Sequence, residues 1–156
     1  MQPTLKLVLL IVLGFWLGTS IFFSFVAAPE LFALAKKQVI TREQAGDVAR
    51  ALLQKYFITG TIVLTLALVL CALLAFGTGR PRFTRCAIIL FASLVITLFD
   101  GFVWGPKVHE TREERRAHPS AKMDKKFGKM HAISFGLNVF VIVGTFASFV
   151  TIARQE

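Results

Sequence analysis

The sequence predicts an all-α fold, a four-helix bundle integral to a membrane. Three observations carry that prediction. Four apolar runs, Leu7 to Ala28, Tyr56 to Phe76, Cys86 to Gly105 and Ala132 to Ala153, occupy most of the 156 residues, and about 20 mostly apolar residues suffice to cross the ~30 Å hydrocarbon core. Within those runs only Asp100 is charged. The chain has 18 Lys and Arg against 9 Asp and Glu for a net +9, and all of that charge but Asp100 lies in the connections and termini, where cations beside spans meet anionic lipid headgroups. The basic balance therefore points to lipid rather than nucleic acid. The whole chain, 1–156, reads as one domain with spans at about 7–28, 56–76, 86–105 and 130–153.

The first run follows Lys6 and ends in Val26-Ala27-Ala28, which resembles a signal-peptide cleavage site. It is longer than the roughly 7–15-residue core of a secretory signal, and Pro29 would follow the cut directly. It is read as a retained helix, with Pro29 ending or kinking it because proline lacks an amide donor and displaces the residue before it from the helix. Thr41 and Gln44 form a capping-box pattern before the second run. Ala45, Val48, Ala49, Leu52, Leu53 and Tyr56 then recur at helical spacing, with Arg42, Asp47, Arg50 and Gln54 on the other side. The second span is thus expected to begin as an amphipathic stub outside the membrane. Pro106 ends or kinks the third span as Pro29 does the first. Pro119-Ser120 starts the last helix, whose Met123, Phe127, Met130 and Ser134 carry one face into the fourth span.

Thirteen Lys and Arg lie in segments 29–55 and 106–129, against five elsewhere. The positive-inside rule places both long connections in the cytoplasm and both termini outside, and a bacterial inner membrane is expected. Lys122, Lys125, Lys126 and Lys129 are the basic residues expected to face lipid or a partner. Cys71 and Cys86 have no metal-ligand spacing, and their unlike depths argue against a disulfide.

The halves resemble one another. Pro106 follows the third span as Pro29 follows the first, and residues 53–59 align with 128–134. Two helical hairpins related by a pseudo-two-fold axis along the membrane normal are expected, as in parallel membrane repeats. Chance likeness between apolar runs is the competing explanation.

Chemistry, if present, should gather at Asp100. A carboxylate in a span is costly unless paired or hydrated, so it turns toward the bundle interior or a watery cavity. Asp100 is about five residues, ~8 Å, from the cytoplasmic end of its span, and His131 lies near the same end of the next. The two could meet. Ser134, Asn138, Thr145 and Ser148 extend a polar stripe from His131, and Tyr56 lies at similar depth. Such residues serve as an internal polar tie or as a ligand site. His131 and the adjacent Met130 invite metal or haem, but no paired intramembrane histidines exist. His109-Glu110-Thr111-Arg112-Glu113 also lacks the second histidine of a zinc-protease motif. No cofactor is expected, with haem or copper at His131 as the alternative. Gly14 with Gly18, and Gly101 with Gly105, are small-residue pairs suited to close helix packing. Trp16 is expected to be buried by such packing, and Trp104 and Tyr56 to anchor at the interface.

A wider pattern joins several of these residues. The strings Gly14-Phe-Trp-Leu-Gly18, Phe25-Val-Ala-Ala-Pro29-Glu-Leu-Phe32, Ala45 and Tyr56-Phe57, followed by Gly105-Pro106-Lys-Val-His109, Arg112, and Phe127, His131, Ser134, Leu137 and Asn138, resemble the transmembrane protein 205-like family over nearly the whole chain. The resemblance implies a four-span protein of unassigned biochemical role, similar in layout to copper-resistance D-type membrane domains. It directs attention to Pro29, Tyr56, Pro106, His131 and Asn138 and supplies no reaction.

The leading expectation is a non-catalytic membrane bundle that packs with itself or in a larger complex. A small-molecule, metal or haem site between Asp100, His131 and Tyr56 is the alternative. A small proton-coupled transporter comes third.

Overall fold

The computed structural model describes residues 2–154. Four helices, each long and apolar enough to cross a membrane, make up almost all of them: α1 (Gln2–Lys36), α2 (Arg42–Thr78), α3 (Pro81–Ala117) and α4 (Ala121–Ala153). Every expected span lies within a longer helix, because the amphipathic pattern continues the helix beyond the apolar run. The caps explain where the helices start. Thr41 accepts the Gln44 amide at 3.1 Å and its own amide donates to the Gln44 side chain at 2.8 Å, closing a capping box on α2. Ser120 caps α4 by accepting the Met123 amide. Between α2 and α3, Gly79 takes the left-handed conformation (φ 63°) and its amide bonds the Ala75 carbonyl. Pro81 then opens α3, where its missing amide costs nothing.

Neither Pro29 nor Pro106 ends its helix. The expected break is replaced by a five-residue π turn, Phe23–Ala27 in α1 and Asp100–Trp104 in α3, after which each helix runs on to Lys36 or Ala117. The Ala28 amide reaches back to the Phe23 carbonyl and the Gly105 amide to the Asp100 carbonyl. A proline ring collides with the backbone one turn earlier, and a widened turn there lets the helix continue. Both π turns begin six residues before their proline. Phe25-Val26 precedes Pro29 at the spacing by which Phe102-Val103 precedes Pro106. The two halves thus share a backbone device as well as a sequence echo.

The helices form a ring in which each packs on its two chain neighbours and α4 closes on α1. The buried core runs along the axis and includes Leu9, Leu13, Trp16, Leu64, Leu74, Leu90 and Ile152. Large apolar side chains such as Phe15, Ile62, Phe91 and Phe146 point outward, as lipid requires. Trp16 is buried as expected, but its close partner is Gly60, where a β-carbon would lie 2.5 Å from the indole. Gly101 sits against Phe57, and a β-carbon at Gly101 would lie 2.8 Å from the Phe57 Cβ. Gly14 and Gly18 do not make a close approach within the chain. A β-carbon on Gly14 would meet only the Phe149 ring of α4 at 3.7 Å, an ordinary contact, and on the exposed Gly18 nothing within 4 Å.

Candidate functional site

The polar residues inside the spans converge where the π turns face α4. Asp100, the first residue of its π turn, is 2 % exposed. Ser134 of α4 donates its hydroxyl to Asp100 Oδ1. One turn along α4, Asn138 Nδ2 donates to Ser24 Oγ at 2.7 Å, and Tyr56 Oη donates to Asn138 Oδ1 at 2.7 Å. Ser24 lies in the π turn of α1. The Tyr56 ring lies between Trp16 and Phe23, with centroids 5.0 and 4.9 Å away, and Ser20 is buried close to its hydroxyl. The group draws on all four helices, and the Tyr56 to Asn138 bond spans the ring from α2 to α4.

Four of the five residues expected in this site, Asp100, Tyr56, Ser134 and Asn138, are therefore brought together. His131 is not part of the hydrogen-bonded group. It is exposed and stacks on Phe127, centroids 5.9 Å apart and planes 13° apart, close enough to Asp100 for an electrostatic effect only. The inward stripe of α4 runs through Val141, Thr145, Ser148 and Ile152. Traced back through Asn138 and Ser134, it continues into Met130, so His131 turns out. Met130 is also occupied: its sulfur accepts from Thr111 at 3.3 Å and its carbonyl from Trp104 Nε1 at 3.2 Å. Tyr56, expected as an interfacial anchor, is instead 7 % exposed, because the aromatic stack holds its ring in the core.

A void of about 10 Å³ lies among Tyr56, Phe57, Ile96, Thr97, Asp100, Leu137, Asn138 and Val141. That is about the volume one water-sized sphere needs. None of the described ion pairs includes Asp100. Among the described residues no three of His, Cys, Asp and Glu gather as a metal site. Cys71 and Cys86 are both buried and free. The Cys71 thiol donates to the Phe83 carbonyl at 3.2 Å.

A second polar cluster joins the stubs outside the spans. Arg112 of α3 bonds Asp47 at 2.9 Å and the Glu43 carbonyl at 3.1 Å, and Arg116 clasps the Glu43 carboxylate at 2.6 and 3.1 Å. The Arg116 guanidinium holds the Glu43 carboxyl below its ordinary range. Burial, then the charge of Arg50, lowers His109. Gly46 gives Arg112 its place, since a β-carbon there would lie 2.4 Å from the guanidinium. Lys126 pairs with Glu114 at 3.1 Å, whereas Lys122, Lys125 and Lys129 are exposed and in none of the described ion pairs.

Sequence reasoning missed Ser24, Thr97, Gly46 and Gly60. Ser24 carried a signal: it is a lone hydroxyl between two phenylalanines, five residues before Pro29. Gly46 and Gly60 carried none, since their role depends on a side chain from another helix.

Comparison with known proteins places this site in a family context. The domain of unknown function (DUF4149) matches residues 11–117, a stretch that holds both π turns, Tyr56 and Asp100. An uncharacterized protein of Aquifex aeolicus (strain VF5) is 30% identical over 136 residues, which is 87% of either chain. No solved structure matches.

Proposed function

This chain belongs to the DUF4149 family of domains of unknown function, and we propose that it is a non-catalytic membrane bundle serving as a subunit or accessory of a homo- or hetero-oligomeric membrane complex. The observation that carries this reading is the use made of the intramembrane polar groups. Tyr56, Asn138 and Ser24 form one hydrogen-bonded chain and Ser134 with Asp100 a second pair, which together tie the four helices, and the void beside them is smaller than any organic substrate. Polar side chains commonly act as such ties between membrane helices. Gly18 on α1 and Gly136 on α4 have no atom within 4 Å of a would-be β-carbon, which leaves room at the outer face for another helix to approach closely.

The same reading places the protein in a bacterial inner membrane, with the stub ends cytoplasmic and both termini outside, on the strength of the basic connections. Lys122, Lys125 and Lys129 then face anionic headgroups. Kinship with the transmembrane protein 205-like family belongs to this proposal too, supported by the residue strings around Pro29, Tyr56, Pro106 and Asn138.

Counting photobleaching steps of a fluorescently tagged chain in native membranes, with the mass of the detergent-extracted particle, tests assembly. More than one chain per spot, or a particle heavier than one chain, is expected. Single chains at native expression and a one-chain particle would overturn the reading. An absorption spectrum with elemental analysis tests the expectation of no haem or copper. A Soret band, or near-stoichiometric metal lost in His131→Ala, would replace the scaffold with a ligand-binding role.

A further inference from the structure

We propose that the void between Tyr56, Thr97, Asp100 and Asn138 is a binding site for one small monovalent cation, of which Na⁺ is the natural probe. The argument begins with where each proton goes. The Tyr56 hydroxyl donates to Asn138 Oδ1, the Thr97 hydroxyl to the Ser93 carbonyl at 2.8 Å, the Ser134 hydroxyl to Asp100 Oδ1, and Asn138 Nδ2 to Ser24. The polar residues lining the void have thus committed these protons elsewhere. What they retain is oxygen lone pairs on Thr97 Oγ1, Asn138 Oδ1, the second oxygen of Asp100 and Tyr56 Oη, the last shared with the nearby Ser20 hydroxyl, together with one N–H of Asn138. These acceptors share the lining with Phe57, Ile96, Leu137 and Val141, and their oxygens are the ligands a hard cation takes.

Charge selects among cations. One carboxylate lines the void, and none of the described ion pairs neutralises it. When Asp100 is ionised a single positive charge balances it, whereas a divalent ion would leave a net charge in the span, where uncompensated charge is expensive. Size agrees, since about 10 Å³ admits one water-sized sphere. The Ser134 bond has a defined part: it fixes one carboxylate oxygen and leaves the other for the ion. This site is independent of the subunit reading, because a bundle can hold an ion whether or not it assembles. It narrows the ligand alternative to an ion and leaves His131 out.

Equilibrium dialysis of the detergent-solubilised full chain against radioactive Na⁺ in choline buffer tests the proposal. Saturable uptake of about one Na⁺ per chain is expected, displaced by unlabelled Na⁺ and unaffected by choline, which is too large for the void. Asp100→Asn should weaken uptake at least about tenfold, equivalent to about 1.4 kcal/mol. Tyr56→Phe and Thr97→Val, which each remove one oxygen and keep the packing, should each weaken it by a smaller factor. Absence of saturable uptake by folded wild-type protein would overturn the proposal, as would equal uptake in all three variants. If Asp100→Asn does not fold, the Tyr56→Phe/Thr97→Val double variant decides, and wild-type uptake there overturns the site. Chain counting reports separately on assembly, so failure of one reading is not mistaken for failure of the other.

Discussion

The two proline junctions share a backbone and differ in the side chain they turn inward. In α1 the π turn opens with Phe23, which stacks on Tyr56 at 4.9 Å. In α3 the corresponding first residue is Asp100, which bonds Ser134. The next residue differs as well: Ser24 reaches Asn138, whereas Gly101 makes room for Phe57. Proline and the wide turn before it therefore set the path of each helix, and the residue six positions earlier sets the chemistry. The first hairpin uses that position for aromatic packing and the second for a carboxylate.

The strongest test gives the first junction the identity of the second. Phe23→Asp would put a carboxylate into the Trp16 and Tyr56 stack and should destabilise the bundle by about 3 kcal/mol or more, given what an acidic residue costs at the centre of a span. Thermal unfolding in detergent reads it out. A midpoint near wild type would mean that the junctions are chemically interchangeable.

Asn138 ties the first junction to α2 across the ring, so Asn138→Leu should come next, at about 2 kcal/mol. It removes the acceptor for Tyr56 and the donor to Ser24 together and leaves buried groups without partners. Tyr56→Phe, which breaks one bond and keeps the stack, should cost under about 1 kcal/mol, in line with hydrogen bonds measured between membrane helices. Equal losses in the two variants would show that Ser24 adds nothing to the tie.

Gly101→Ala sharpens the comparison of the second positions. Ser24 already carries a β-carbon, whereas one at Gly101 would sit 2.8 Å from Phe57 Cβ. A loss of about 1 kcal/mol is expected, at the low end for overpacking, and an unchanged unfolding midpoint would remove close packing as the reason for glycine there.

The smallest effect lies outside the membrane, where the α2 and α3 stubs meet, and it depends on pH. His109 is lowered from 6.5, so the unfolded stub binds its proton first and docking weakens as pH falls below that value. Glu43 is lowered from 4.5 by Arg116, so its contribution is present above that value and is lost as pH falls through the lowered one. The protection of amides 42–50 from exchange, relative to the unstructured rate at each pH, should therefore fall in two acid steps. Glu43→Gln should remove the lower step alone. Protection that does not change with acid would mean that the ion pairs do not hold the stubs together.

Much of this architecture is local and therefore legible in the sequence. The four runs, the Thr41 and Ser120 caps and the helical stubs follow from residue type and spacing along one chain. The echo between Pro29 and Pro106 is visible there too, but its consequence is not. Proline predicts a break when a helix is considered alone, whereas packing of the segment beyond it, on α2 after Pro29 and on α4 after Pro106, favours continuing through a wider turn. The polar site is legible as a set of residues but not as a set of partners. Asp100, Tyr56, Ser134 and Asn138 can be named from the sequence, while His131 suggests itself as the partner of Asp100 because depth is readable and the inward face is not.

The sequence by itself determined that this is a four-span helical protein with one intramembrane carboxylate, because length, hydropathy and capping act within a few residues of one another. Only the tertiary structure decided that the prolines follow π turns, that Gly60 and Gly46 seat Trp16 and Arg112, and that Asp100 bonds Ser134 beside a water-sized void. Those outcomes depend on which helix faces meet, and each face is chosen by packing between segments far apart in the chain.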